Sequence, residues 1–200
     1  MEIKYSPLSP FVRKVMVVAH EVGVADRIRR TAVSVRDEPQ SIVPFNPLGK
    51  IPVLVTDDGS TIYDSAVICE YLDATFGGGR LVPAERPQRW EVLTRAALAD
   101  GMADAAILVR LERLRAPERQ SETWLATQMG KVLAALDHLE RTVPAADKRF
   151  DMGDIAVICA LDYMALRLPE LAGYPSWPKL DAYTKRMAER PSFQATLLAL

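Results

Sequence analysis

Apolar and polar positions change rhythm several times along the chain. "MEIKYS" reads as a short strand. From Pro10 the apolar residues Val12, Val15, Ala19 and Val22 recur at helical spacing, Arg13, Lys14, His20 and Glu21 fall elsewhere, and Gly23 stops the run. "RRTAVSV" reads as a second strand. Val53 to Thr56 and Thr61 to Tyr63 read as strands flanking Asp57-Asp58-Gly59, a dipeptide-type hairpin signal between apolar runs. Asp64-Ser65 then opens a helix with Val67, Ile68, Tyr71 and Leu72 on its apolar side, ending near Gly77. The predicted order is βαβ followed by ββα, a small α/β unit.

"GGGRLVPAERPQ" interrupts the pattern with Gly and Pro, as a linker does. Beyond it Ala, Leu, Arg and Glu dominate, and everything after Pro87 reads helical. The expected layout is a first domain over 1–77, a linker over 78–86 and an all-helical domain over 87–200. "FDMGDI" marks one helix start, with Asp151 as cap, Asp154 at the third helical position and Phe150 placed to staple onto Ile155. A final helix is expected from about Pro178 to Glu189 and a short one after Pro191.

Composition narrows the function classes. Two hundred residues with 49% hydrophobic content suffice for a sizeable core, and a formal net charge of −1 leaves no electrostatic footprint for nucleic acid or a membrane surface. No apolar run reaches spanning length and the start does not resemble a signal peptide, so the expectation is a cytoplasmic protein. The two cysteines, Cys69 and Cys159, lie in apolar helical stretches and read as core residues. Neither they nor His20 and His138 have the spacing of a metal site, and no metal is expected.

The candidate chemistry sits in "SPLSPFVRKV". Pro suits the first turn of a helix and Ser is a favoured cap before it, so Ser9-Pro10 reads as a helix start. Val12 occupies the third helical position, so no Glu or Gln completes a capping box, and Ser9 is open both to capping and to chemistry. Ser6 and Tyr5 are rival hydroxyls nearby.

Together "SPLSPFVRKV", "NPLGKIPVL", "YDSAVICEYL" and "WPKLDAYTKRMAERPSF" resemble a glutathione S-transferase over essentially the whole chain, and within that superfamily a bacterial serine-type branch. The resemblance implies a thioredoxin-like first domain, an all-helical second domain, glutathione as co-substrate without a metal, a small hydrophobic electrophile as partner, and a homodimer. The pattern places the active hydroxyl just before Pro-Phe-x-Arg, which is Ser9. A thiol of pKa near 8.5 is mostly protonated at neutral pH, and lowering it by ~2 units needs about 2.7 kcal/mol. A helix N-terminus contributes roughly 0.3–1 kcal/mol and a hydroxyl donating to a charged acceptor about 1.5–3 kcal/mol. Ser9 and the N–H groups around Phe11 and Val12 match that requirement.

The remaining roles follow from the same resemblance. Pro52 is expected to be cis and Ile51 to pair its main chain with the cysteinyl part of glutathione. Lys50 is assigned to the glycine carboxylate, and Asp64 and Ser65 to the γ-glutamyl end, with help from Asp100 or Asp104 of a partner chain. "RDEPQSIVPF" lacks the His or Lys that some branches place before Asn-Pro-x-Gly, which implies modest glutathione affinity. Met102, Ala106 and Arg110, spaced four apart, are assigned to the electrophile pocket between the domains. Two further classes compete: a non-catalytic relative that binds partners, and peroxidase, isomerase or dehalogenase chemistry on the same thiolate. A glutaredoxin-like reductase would need a cysteine where Ser9 stands.

Overall fold

A computed structural model describes residues 1–144, 149–174 and 176–198. Four strands, β1 (Glu2–Tyr5), β2 (Arg29–Ala32), β3 (Val53–Val55) and β4 (Thr61–Ile62), form one mixed sheet in the order β2-β1-β3-β4. β1 runs parallel to β2 and antiparallel to β3, and β3 pairs antiparallel with β4. The crossover from β1 to β2 is α1 (Pro10–Glu21), and the β3–β4 hairpin leads into α2 (Ser65–Leu72). The hairpin turns at Gly59, whose φ of +86° requires a residue without a Cβ. The fold is therefore the predicted thioredoxin-like unit followed by helices, with β2 and β4 ending sooner than the apolar runs suggested.

The helical region comprises α3 (Gln88–Arg113), α4 (Glu122–Thr142), α5 (Met152–Arg167), α6 (Pro178–Ala188) and α7 (Pro191–Gln194). The expected helical range 87–200 includes positions 145–148, 175 and 199–200, which lie outside the described residues. α3 packs most extensively on α5, then on α4, and α5 is buried along nearly its whole length, which is why its sequence shows almost no polar face. Both halves of the Asp capping box form: Asp154 N–H donates to Asp151 at 3.2 Å and Asp151 N–H to Asp154 at 2.9 Å. Arg95 of α3 bonds both carboxylates, and the Tyr183 hydroxyl of α6 donates to Asp154 at 2.7 Å. The Phe150 ring stands edge-on to Phe193, so its nearest aromatic partner comes from α7.

The Gly-rich connection is strapped down. Asp73, at the end of α2 and 1% exposed, accepts from the N–H of Leu81 and Val82 at 2.9–3.1 Å, and Leu81 O accepts from Met152 N–H at 2.9 Å. A carboxylate holding two buried amides fixes the path between the sheet unit and α5. A Cβ on Gly77 would come within 2.5 Å of Asp73, so a glycine there leaves room for that strap.

α1 departs from its amphipathic prediction. Arg13 and Lys14 are 4% and 2% exposed, and only His20 among residues 12–20 is exposed. The reason is position: α2 covers one side of α1 while α5 and α7 cover the other. The helix lies between two layers, and its charged residues are met by charges from the second layer.

Candidate functional site

The strand registers bring the sequence-predicted residues to one end of the sheet. Lys4 faces Val53 and Leu54 faces Ile62, so the chain leaving β1 toward Ser9, the Ile51-Pro52 step entering β3, and Asp64 after β4 converge there. The Ile51-Pro52 bond is cis, as expected. Pro52 is buried and Ile51 half-buried, while Lys50 is exposed. Asn46, 2% exposed, shapes this approach: its amide donates to Lys50 O at 2.9 Å and its side-chain oxygen accepts from Leu48 N–H at 3.0 Å.

Ser9 caps α1 with extended backbone, and its Oγ accepts from Val12 N–H at 3.3 Å. Accepting uses a lone pair and leaves the hydroxyl proton available, so capping and donation to an anion are compatible. The first turn of α1 carries no acidic residue, so nothing opposes the positive end of the helix. Phe11 is half-buried beside this end.

At the start of α2, Asp64 accepts from Ala66 N–H at 3.0 Å and is exposed, whereas Ser65 is 4% exposed. Asp64 thus faces solvent at the helix start, and Ser65 is turned inward.

Sequence reasoning missed the charges beneath these ends. Lys14 Nζ holds both oxygens of Asp100 at 2.7 and 2.6 Å, and Arg13 pairs with Asp162 of α5. Burial pushes the Asp100 carboxyl above its ordinary range, with Lys14 pulling the other way. Asp104, one turn on and with its outer edge exposed, is likewise raised, first by loss of water and then by Asp100 and Asp64, with Lys50 opposing. Asp64 in turn helps raise both carboxyls, and Asp100 is engaged by Lys14 of its own chain. The available signal was a lysine inside the apolar run "VRKVMVV" and an aspartate inside "AALADGMADAA".

Three residues assigned to the electrophile pocket separate. Met102 is 2% exposed and Ala106 not at all, so both belong to the helical core; Arg110 is half-buried. A spacing of four selected one face of α3, and at Met102 and Ala106 that face packs inward. The opposite face carries Asp104, Leu108 and Leu111, all exposed. Cys69 and Cys159 are buried, with both thiols pushed up to about 12 by burial, so neither supplies a thiolate at neutral pH. A cleft of about 590 Å³ lies elsewhere, between α5 and α6, and contains none of the residues at the α1 start. Among the described residues no group of His, Cys, Asp and Glu is placed to hold a metal ion, and no helix is long and apolar enough to cross a membrane.

Residues 8–75 match the model of the glutathione S-transferase N-terminal domain and residues 122–186 that of its C-terminal domain. The chain is 32% identical to an uncharacterised GST-like protein, YibF, of Escherichia coli, over 98% of each. It is similar to a Pseudomonas fluorescens glutathione transferase family member with bound glutathione, at 42% identity and a TM-score of 0.94 over 100% of this chain and 99% of that one. A second structure of such a member, holding S-(propanoic acid)-glutathione, matches at 42% identity and a TM-score of 0.90 over the full length of both.

The Lys14–Asp100 contact is testable by a double-mutant cycle. Asp100→Ala leaves a buried ammonium without its counter-charge and should cost about 3–5 kcal/mol, as breaking a buried pair does. Lys14→Met combined with Asp100→Leu should recover most of it. Denaturant unfolding of Asp100→Leu, Lys14→Met and the double variant, beside Asp100→Ala, checks this: an additive double variant would show that the two side chains act independently.

Proposed function

Because the chain belongs to the glutathione S-transferase family, we propose that it binds glutathione at the shared end of β1, β3, α1 and α2 and uses it as a thiolate against small hydrophobic electrophiles. The single observation carrying this reading is Ser9: a cap whose oxygen accepts from Val12 N–H and whose hydroxyl proton remains to donate. Glutathione in a neighbour of 42% identity supports the location, and an S-substituted glutathione in a second one supports room beyond the sulfur.

In this reading the thiol lies at the α1 start, where the Ser9 hydroxyl and the amides at Phe11 and Val12 favour its ionised form. The cysteinyl main chain runs beside Ile51, next to cis Pro52, as an added strand. The γ-glutamyl end meets Asp64 and the N–H groups at Ser65, and the glycine carboxylate meets Lys50. The thiol proton leaves to water. The thiolate pair forms a C–S bond to the electrophilic carbon, whose leaving group departs with its own pair or whose activated double bond takes the pair and then a proton. Serine at position 9, in place of cysteine, favours conjugation over a mixed disulfide.

The protein is further proposed to act in the cytoplasm, in detoxification, as a two-fold homodimer. Val67 on α2, 52% exposed, and Leu108 and Leu111 on α3, 37% and 48% exposed, support a covered surface. Light scattering should give a mass near twice 22.2 kDa; a value near that of one chain at micromolar concentration would overturn the dimer.

Ser9→Ala should lower conjugation turnover by about tenfold or more, since a hydrogen bond to a charged group is worth about 1.5–3 kcal/mol. The readout is the turnover number at neutral pH alongside the melting temperature with millimolar glutathione. Full turnover would reduce Ser9 to a cap and move the role to Ser6 or Tyr5. Absence of any glutathione-induced shift in the unaltered protein would favour a partner-binding relative of the family.

A further inference from the structure

α3 and α5 run side by side in register. Arg95 reaches Asp151 and Asp154, 56 and 59 positions on, and Arg113 reaches Glu170, 57 positions on. Arg110 and Arg167 are also 57 apart, three positions before Arg113 on α3 and three before Glu170, which follows the end of α5. The other rungs pair a cation with an anion; this one has an arginine on both helices, and both act on the buried phenol of Tyr163.

Among the described residues neither Arg110 nor Arg167 forms an ion pair, and Arg167 Nε is buried without a hydrogen-bond partner. Carboxylates of the neighbouring turns are engaged: Glu170 by Arg113, Glu112 by Ser121 N–H at 2.8 Å and by Arg115, and Asp162 by Arg13. Both guanidiniums favour ionisation of Tyr163, yet burial dominates and pushes the phenol up, so Tyr163 remains a neutral donor and adds no negative charge. Two half-buried like charges without compensation are costly, and a planar anion bound between them would relieve the cost while accepting several N–H bonds.

The location relative to Ser9 gives the pair a use. Pro10, Phe11 and Lys14 pack near Asp100 and Ala103 of α3 and near Ala156, Cys159 and Ala160 of α5. Arg110 and Arg167 each lie seven residues further along the same two helices, about 10 Å at 1.5 Å per residue, and arginine side chains are long enough to reach back over part of that span. We propose that Arg110 and Arg167 form an anion subsite of the electrophile cleft, with Tyr163 as a neutral donor, and that the electrophiles taken by this protein carry a carboxylate. This rests on the glutathione reading above and specifies its second substrate.

Calorimetry with S-(carboxyalkyl)glutathiones bearing arms of two to five carbons, each against the S-alkyl conjugate of the same length, tests it. At the arm length that reaches the pair, the carboxylate should tighten binding about tenfold or more, as expected for charge-assisted hydrogen bonds. In Arg110→Gln, and separately in Arg167→Gln, that preference should vanish, with the carboxyalkyl conjugate falling to the affinity of its alkyl counterpart. Alkyl conjugates that bind with no carboxylate preference at any length would overturn the subsite and leave the glutathione reading standing. Failure of glutathione and every conjugate to bind would overturn both. A preference that survives in both variants would place the anion elsewhere.

Discussion

Arg13 and Lys14 occupy the second turn of α1 with almost no exposure, and each meets its counter-charge in the helical region, Asp162 on α5 and Asp100 on α3. Burying two cations costs several kcal/mol each unless the geometry is good, so these contacts fix how the helical region sits on α1. A third contact holds the other end: Arg190 bonds Glu21 at 3.2 and 2.9 Å, with the Ser192 hydroxyl on the same carboxylate at 2.6 Å. α1 is thus held along its length by α3, α5 and the segment entering α7. Its N-terminus, where Ser9 and Phe11 are half-buried, is less fully covered than the turns that follow.

This arrangement explains why one helix end can serve chemistry. An N-terminus offers amides and positive potential only if it is kept still and kept clear of acids, and α1 has no acidic residue in its first turn. The sheet supplies the rest, since the β1–β3 and β3–β4 registers carry Ile51-Pro52 and Asp64 to the same edge. Asn46 sets the loop before Lys50, and Asp73 and Leu81 set the strap that reaches α5. Farther along α3 and α5, the same packing brings Arg110 and Arg167 to act on one phenol, that of Tyr163.

What was legible in the sequence was mostly local. The Ser9 cap, the Gly59 turn, the Asp151–Asp154 box and the helix starts at Pro178 and Pro191 depend on neighbours within a few positions, and they form as their spacing predicts. Pro52 in cis followed from a family resemblance and was found. The polar face assigned to α1 was not, because a periodic pattern records one covering layer and α1 has two. Likewise a spacing of four on α3 placed Met102 and Ala106 together without saying whether their face met a cleft or the core. Ion pairs such as Arg13–Asp162, 149 positions apart, leave no short-range trace at all. Arg110 was legible as a charged residue near the cleft, whereas Arg167 came into view only through the register of two helices.

The central claim is that the α1 terminus holds glutathione as its thiolate. Its most direct test is an ultraviolet difference titration of the glutathione-bound protein against pH, following thiolate absorbance, with free glutathione as reference. The expected midpoint lies ~2 units below that of the free thiol, in keeping with about 2.7 kcal/mol of preferential stabilisation of the anion. A midpoint equal to that of free glutathione, with binding intact, would contradict it.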